Sequence, residues 1–464
     1  MWASPLYTSD EQDISAVVFS SIDFLFKFLP IFFVIYMFCP KAWKNLCLFA
    51  GSLLFYLYGV KDTPWYLALF LVSIIVNYRM SFWIDGSLES VQKKRRLAAG
   101  VIFNLSILAV FKYTQRLPLG ISFYTFQAVG WLIDVYREGR MRDANFVKFG
   151  TFMTLFPHVT SGPILSWKDT GRELSHRRGG VDALENGLRE LTIGLGMKVL
   201  LANQMADLWE KIRAVGYESI STPLAWLGIV AFSFEIYFDF YGYSLMAIGL
   251  GEMFGFHLPK NFQYPYMATS MTDFWRRWHM TLGSWFRDYV YIPLGGSRCS
   301  KGKMIRNLLV VWLLTGLWHG AGWNFLLWGF LLFVLVAVEK LCLLKVFRRV
   351  PILGHIYMIL AIPLSWLIFA ISDPGQIWIY VQRLFPFLAA AGRFSWFAGD
   401  YLKYGKMYLI TLLAGMFLIT PLPRKLYERY KGSIWSALVL ILIFWFSVYC
   451  IWIGQDDPFM YFAF

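Results

Sequence analysis

Long apolar stretches recur from one end of this chain to the other, and that repetition constrains the fold more than any single motif. Residues 28–38, 67–76 and 438–453 are examples. In a hydrocarbon solvent no water satisfies backbone N–H and C=O groups, so such runs persist only as helices or closed barrels. A spanning helix takes about 20 apolar residues. Candidate spans fall at 22–39, 43–60, 64–83, 97–113, 119–136, 187–208, 224–251, 355–372, 407–422 and 433–453. Charged residues make up 16% of the chain, against about 25% in a soluble domain. A deficit spread this evenly does not come from one buried core. The expected architecture is an all-α integral membrane protein, a multi-pass helical bundle forming one domain over residues 1–464.

The formal net charge is +14, which in a soluble chain would suggest nucleic acid. Here the charge sits in short clusters between apolar runs, where it sets orientation and meets anionic lipid. Lys41 and Lys44, then Lys93-Lys94-Arg95-Arg96, then Arg137, Arg140 and Arg142 recur at every second connection, as cytoplasmic loops do. Continuing the count places His176-Arg177-Arg178, residues 259–306, and Lys345, Arg348 and Arg349 on the same side. The N-terminal Asp10, Glu11 and Asp13 and the C-terminal Asp456 and Asp457 then lie outside. The first 20 residues lack a basic n-region, so no cleavable signal peptide is expected. Cys39, Cys47, Cys299, Cys342 and Cys450 have no metal-ligand spacing and read as small core residues.

Three regions fit a simple span poorly. Residues 144–166 are apolar but interrupted by Pro157, Gly162 and Pro163, which predicts a re-entrant segment buried in protein. Residues 270–296 alternate aromatics with Arg276, Arg277, Arg287 and Asp288, the pattern of an amphipathic helix at the interface. Residues 308–340 are one long apolar stretch whose two ends both count as cytoplasmic. That stretch is expected to fold as a hairpin, with Leu317-Trp318-His319-Gly320 near its turn.

His319 is the most informative residue. It stands in an apolar run with no acid nearby in sequence, and an ionisable side chain at membrane depth is a functional hypothesis by default. A neutral imidazole is the least costly such group and can take a proton from an attacking hydroxyl. The competing reading is a buried histidine bonded to a carbonyl. His279 follows Trp275, Arg276, Arg277 and Trp278. The two arginines either fork onto a phosphate-bearing donor or snorkel to lipid phosphates. Glu235 and Asp239 lie one helical turn apart within a span, forming a polar cavity or an ion pair with a base such as Lys198. His158 beside Pro157 is expected to be structural. No zinc set, no Cys-x-x-Cys and no phosphate-binding glycine loop is present.

From Phe238 to Arg298 the sequence becomes specific. Phe238-Asp239-Phe240-Tyr241-Gly242-Tyr243-Ser244, Asn261-Phe262, Tyr264-Pro265-Tyr266, Asp273-Phe274-Trp275-Arg276-Arg277-Trp278-His279-Met280 and Tyr291-Ile292-Pro293-Leu294-Gly295-Gly296 together resemble the membrane-bound O-acyltransferase family. Trp318-His319-Gly320 matches its second motif. Gly120 to Gln127, Ser161-Gly162-Pro163-Ile164 and Pro458 to Phe462 resemble its bacterial polysaccharide-acetylating branch, of the alginate O-acetylation type. Two positions depart from that branch: Leu245 where an acid is common, and His158 where glutamine is.

The resemblance implies a helical bundle with a central funnel around a buried histidine, with a motif core at about 119–340 and C-terminal helices over 355–464. It places His319 and His279 as catalytic residues, with Trp275, Arg276, Arg277 and Trp278 beside the donor and no metal. The implied donor is acetyl-CoA, used as a substrate without any bound cofactor. The implied partner is an extracytoplasmic glycan O-acetyltransferase or another secondary acyl acceptor, and the implied location is the bacterial cytoplasmic membrane. D-alanyl transfer to teichoic acid from a carrier protein is the nearest alternative. A transporter or flippase, and a membrane scaffold for another enzyme, are further ones.

Overall fold

The computed structural model describes residues 19–114, 117–139, 144–177, 179–389 and 399–454. Asp10, Glu11, Asp13, Arg140, Arg142, Arg178, Asp456, Asp457 and Pro458 to Phe462 lie outside them. The described residues contain helices and no strand.

The first group comprises α1 (Leu29–Phe38), α2 (Lys44–Gly59), α3 (Trp65–Asp85), α4 (Ser90–Tyr113) and α5 (Ile121–Glu138). A broken segment follows: α6 (Phe146–Thr154), α7 (Phe156–Val159) and α8 (Trp167–Ser175). Residues 149–165 are buried throughout, and the break falls at Leu155, just ahead of Pro157, as the prolines and glycines there predict. Next come α9 (Val181–Gly196), a π-helical stretch at Met197–Ala202, α10 (Asn203–Val215) and α11 (Thr222–Met253). The motif region holds α12 (Met271–Arg277), α13 (Met280–Phe286), α14 (Lys301–His319) and α15 (Trp323–Val338). The chain ends in α16 (Leu344–Arg349), α17 (Pro351–Ala370), α18 (Pro374–Leu384), α19 (Asp400–Met407), α20 (Leu409–Leu418), α21 (Leu422–Tyr430) and α22 (Ile434–Trp452).

Five of these, α3, α4, α11, α17 and α22, are long and apolar enough to cross a membrane. The pair α20 and α21, bent by 78°, has the composition of a broken span or a re-entrant loop. The other apolar runs form shorter or interrupted helices or, in α5 and α14, helices of spanning length that carry too many polar residues. The protein is thus an all-α, multi-pass membrane protein.

Two packing devices position the site. Gly187 and Gly194 of α9 face Gly249 and Gly242 of α11 so closely that a Cβ on Gly187 would stand 2.5 Å from the Gly249 carbonyl oxygen. Small residues allow such backbone approach where lipid supplies no hydrophobic drive. The same device closes the expected hairpin of α14 and α15. A Cβ on Gly316 would lie 2.5 Å from the Phe325 carbonyl oxygen, and one on Gly329 2.5 Å from that of Trp312.

The stretch at 270–296 differs from the single interfacial helix expected. It is α12, a break, α13 and a π-helical turn at Arg287–Tyr291. Trp278 is extended and His279 left-handed, with φ 43°. The loop at Asn261–Gln263 absorbs the break: Gln263 N–H donates to the Arg277 carbonyl at 2.9 Å, and Met280 N–H to the Asn261 carbonyl at 2.9 Å. A break whose backbone groups are re-paired inside the protein is tolerable at membrane depth. The Glu339 carboxylate fixes the start of α12, accepting from Met271 N–H at 2.5 Å and from Thr272 N–H and hydroxyl at 2.9 Å each.

Candidate active site

His279 occupies the break itself. A non-glycine residue in the left-handed region costs about 1–3 kcal/mol and persists where its surroundings over-determine it. Here those surroundings are Asn261. The Asn261 Oδ1 accepts from Thr281 N–H at 3.3 Å and from the Thr281 hydroxyl at 2.9 Å, while its Nδ2 donates to Ser244 Oγ at 3.2 Å. That orients the amide, so its oxygen faces His279 Nδ1 at 3.0 Å. An oxygen can only accept, hence Nδ1 carries the proton and Nε2 the lone pair. Nε2 is buried and has no hydrogen-bond partner among the described residues. The ring is 3% exposed and meets Phe240 edge-on, with centroids 4.7 Å apart.

His319 ends α14, where Gly320 turns the chain; a side chain there would run into the Phe325 ring. Its imidazole is 5% exposed and caged by Trp318, Trp328 and Phe369, at centroid distances of 4.8, 5.1 and 5.2 Å. Trp318 also packs on His279 at 5.9 Å. One indole therefore joins two histidines that are 40 residues apart, as 319 − 279 gives. Phe123 and Phe126 of α5 close the other side of Trp318, at 5.9 and 5.8 Å. The arrangement sets two imidazoles in a water-poor aromatic surround, His279 with its lone pair fixed at Nε2, and an imidazole so placed is suited to taking a proton from a hydroxyl.

The remaining sequence candidates fall into three settings. Trp275 and Trp278 belong to an aromatic cluster with Trp312, Trp328 and Trp366. Arg277 is held by Asp273 through two contacts of 3.0 Å, while Arg276 is exposed. Lys198 and Asp239 form a buried ion pair at 2.9 Å, and Lys198 also donates to Asn203 at 2.9 Å. Glu235 is buried one turn from Asp239. His158 has the structural setting expected, its Nε2 3.1 Å from the Phe152 carbonyl.

A cavity of about 610 Å³ adjoins this aromatic surround, lined by Phe126, Gln127, Met280, Thr281 and Trp285. Its outer wall carries Arg137, Lys168, Lys260 and Arg287 together with Asp134, Asp169 and Asp288. The Glu138 carboxylate, 2.5 Å from Lys168, holds that ammonium above its ordinary pKa. On the cavity lining Trp285 stacks on Phe126 at 4.0 Å and donates its indole N–H to the Phe126 carbonyl at 2.8 Å, and Phe126 in turn packs on Trp318. In the sequence Arg137 and Arg287 read only as loop and interfacial charges, and nothing there singles out Lys168. Their convergence depends on α5, α8 and the 287–291 turn meeting, which no local spacing announces. Among the described residues no three His, Cys, Asp or Glu side chains gather as a metal site would require.

The sequence profile of the membrane-bound O-acyltransferase family matches residues 53–374. A probable alginate O-acetylase of Azotobacter vinelandii is 35% identical over 396 residues, covering 80% of this chain and 78% of its own. A peptidoglycan O-acetyltransferase of Helicobacter pylori is 33% identical over 386 residues, covering 70% and 71%. A teichoic acid D-alanyltransferase of Streptococcus thermophilus is 31% identical over 226 residues, covering 46% and 54%.

Proposed function

This chain belongs to the membrane-bound O-acyltransferase family and is an O-acyltransferase, and we propose that the group it moves is acetyl, taken from acetyl-CoA for O-acetylation of a cell-surface polysaccharide. The observation that carries this reading is the buried pair of imidazoles on Trp318, one of them with its lone pair fixed at Nε2. Relatives named for alginate and peptidoglycan O-acetylation align over more of the chain than the D-alanyltransferase does, which favours acetyl.

In the proposed reaction His319 removes the acceptor hydroxyl's proton as its oxygen attacks the thioester carbonyl. The carbon–sulfur bond breaks, the new ester forms, and the proton passes to the departing thiolate. His279 assists from across Trp318. The cavity wall is of mixed charge, with Lys168 and Arg287 ion-paired, and its Arg137 and Lys260 are the groups suited to the phosphates of the donor, with the thioester end reaching past Trp285. Trp275, Arg276, Arg277 and Trp278 do not line that cavity, so in this reading the exposed Arg276 meets lipid phosphates rather than the donor. The cavity lies toward the cytoplasm of a bacterial inner membrane, with the N-terminus outside. A separate extracytoplasmic transferase or other acceptor receives the acetyl group.

The test supplies labelled acetyl-CoA and, separately, a D-alanyl carrier protein to the purified protein in lipid nanodiscs. Acetyl turnover without response to the carrier supports this reading. Turnover of the D-alanyl carrier alone would replace it with D-alanyl transfer.

A further inference from the structure

Lys112 stands in the last turn of α4, between Phe111 and Tyr113, and is 7% exposed. Its ammonium has no hydrogen-bond partner among the described residues. Nζ sits 5.6 Å from the centroid of Trp318, the indole on which both histidines pack. A cation over an indole gains about 0.5–2 kcal/mol, whereas an ion taken out of water loses several kcal/mol. The indole alone therefore does not balance this charge. An arriving anion would.

We propose that Lys112 is the anion-receiving group of the acyl-transfer site. It binds a negatively charged oxygen of a substrate beside Trp318, so that the reacting group of that substrate faces His319. This rests on the acyl-transfer reading above, and it assigns the substrate a carboxylate or a phosphate close to the reacting atoms. The 24 residues of α4 rise about 36 Å from Ser90 to Tyr113. Lys112 thus lies at the opposite end of its helix from the basic cluster Lys93 to Arg96. With that cluster cytoplasmic, Lys112 faces the outer side, which favours a carboxylate of the acceptor over a phosphate of the donor.

The test compares wild type, Lys112→Met and Lys112→Arg in nanodiscs, measuring apparent Kd for two matched pairs of probes. One pair is coenzyme A and phosphate-free pantetheine; the other is a hexuronate oligosaccharide and its carboxyl-reduced counterpart. Losing a hydrogen bond to a charged group predicts about 10- to 100-fold weaker binding of the anionic member of one pair in Lys112→Met. The neutral member is unchanged, Lys112→Arg retains binding, and the thermal midpoint of Lys112→Met is equal to or above that of wild type. Weakening confined to coenzyme A assigns the anion to the donor; weakening confined to the uronate assigns it to the acceptor, and both support the proposal. Equal Kd values for all four probes overturn it. So does equal weakening of charged and neutral members, or a thermal midpoint lowered in Lys112→Met, which marks a structural lysine. The acetyl-transfer reading fails elsewhere, in the absence of wild-type acetyl-CoA turnover, and the Kd contrast stands without turnover.

Discussion

The turn at His279 and the interface of α9 with α11 both bury polar groups inside an apolar bundle, and they do so in opposite ways. At the helix interface, Lys198 and Asp239 pair at 2.9 Å and Asn203 takes a second bond from the ammonium. Charge meets charge, and four glycines let the backbones close around it. At the turn, a residue is held in a left-handed conformation, one ring nitrogen is tied to Asn261, and the other has no partner among the described residues. The first arrangement serves assembly; the second keeps one atom available. A buried polar group that the fold over-determines yet leaves one bond short is a sign of chemistry.

Variants at His279, at the Lys198–Asp239 pair, at Asn261 and at Gly194 test this contrast. His279→Ala removes an acid–base group and is expected to lower acyl transfer by about 10²- to 10⁴-fold, with a near-native thermal midpoint; a fully active variant would make the turn structural. Lys198→Met strands Asp239 and is expected to cost about 3–5 kcal/mol of stability, read as a lower thermal midpoint. The double variant Lys198→Met/Asp239→Leu should recover most of it, and failure to recover would mean the pair does more than assemble the interface. Asn261→Leu frees His279 Nδ1 and should reduce kcat about 10- to 100-fold, while Asn261→Asp keeps an acceptor there and should retain more activity. Equal losses in the two would deny the tautomer argument. Gly194→Ala is expected to be the mildest, overpacking the interface by about 1–3 kcal/mol, again read in the thermal midpoint with kcat little altered.

The repeated apolar runs made the helical membrane architecture legible, because a period-free hydrophobic run has few alternatives in lipid. The broken segment was legible in Pro157, and the hairpin in the charge clusters that flank residues 308–340. The break at His279 was not. Trp275, Trp278 and Phe274 sit at helical spacing, and the stop comes from the distant Asn261 loop, which supplies the backbone partners. Lys112 went unnoticed for a related reason: a lysine near the end of an apolar run ordinarily snorkels to water, and only α4 packing toward Trp318 turns it inward. The ion pair was half legible, since Glu235 and Asp239 announced a need for a base and Lys198 was one of the candidates. The glycine pairs were missed because their meaning lies in the facing helix. The cavity likewise assembles from segments far apart in the chain.

The proposed acyl transfer turns on His319, and the most direct measurement is acetyl transfer from labelled acetyl-CoA by purified protein in nanodiscs, wild type beside His319→Ala. The prediction is wild-type turnover that disappears in a variant with the same thermal midpoint and the same lipid-embedded yield. Equal turnover by the two proteins would contradict it, removing His319 from the chemistry and returning it to the aromatic core that surrounds it.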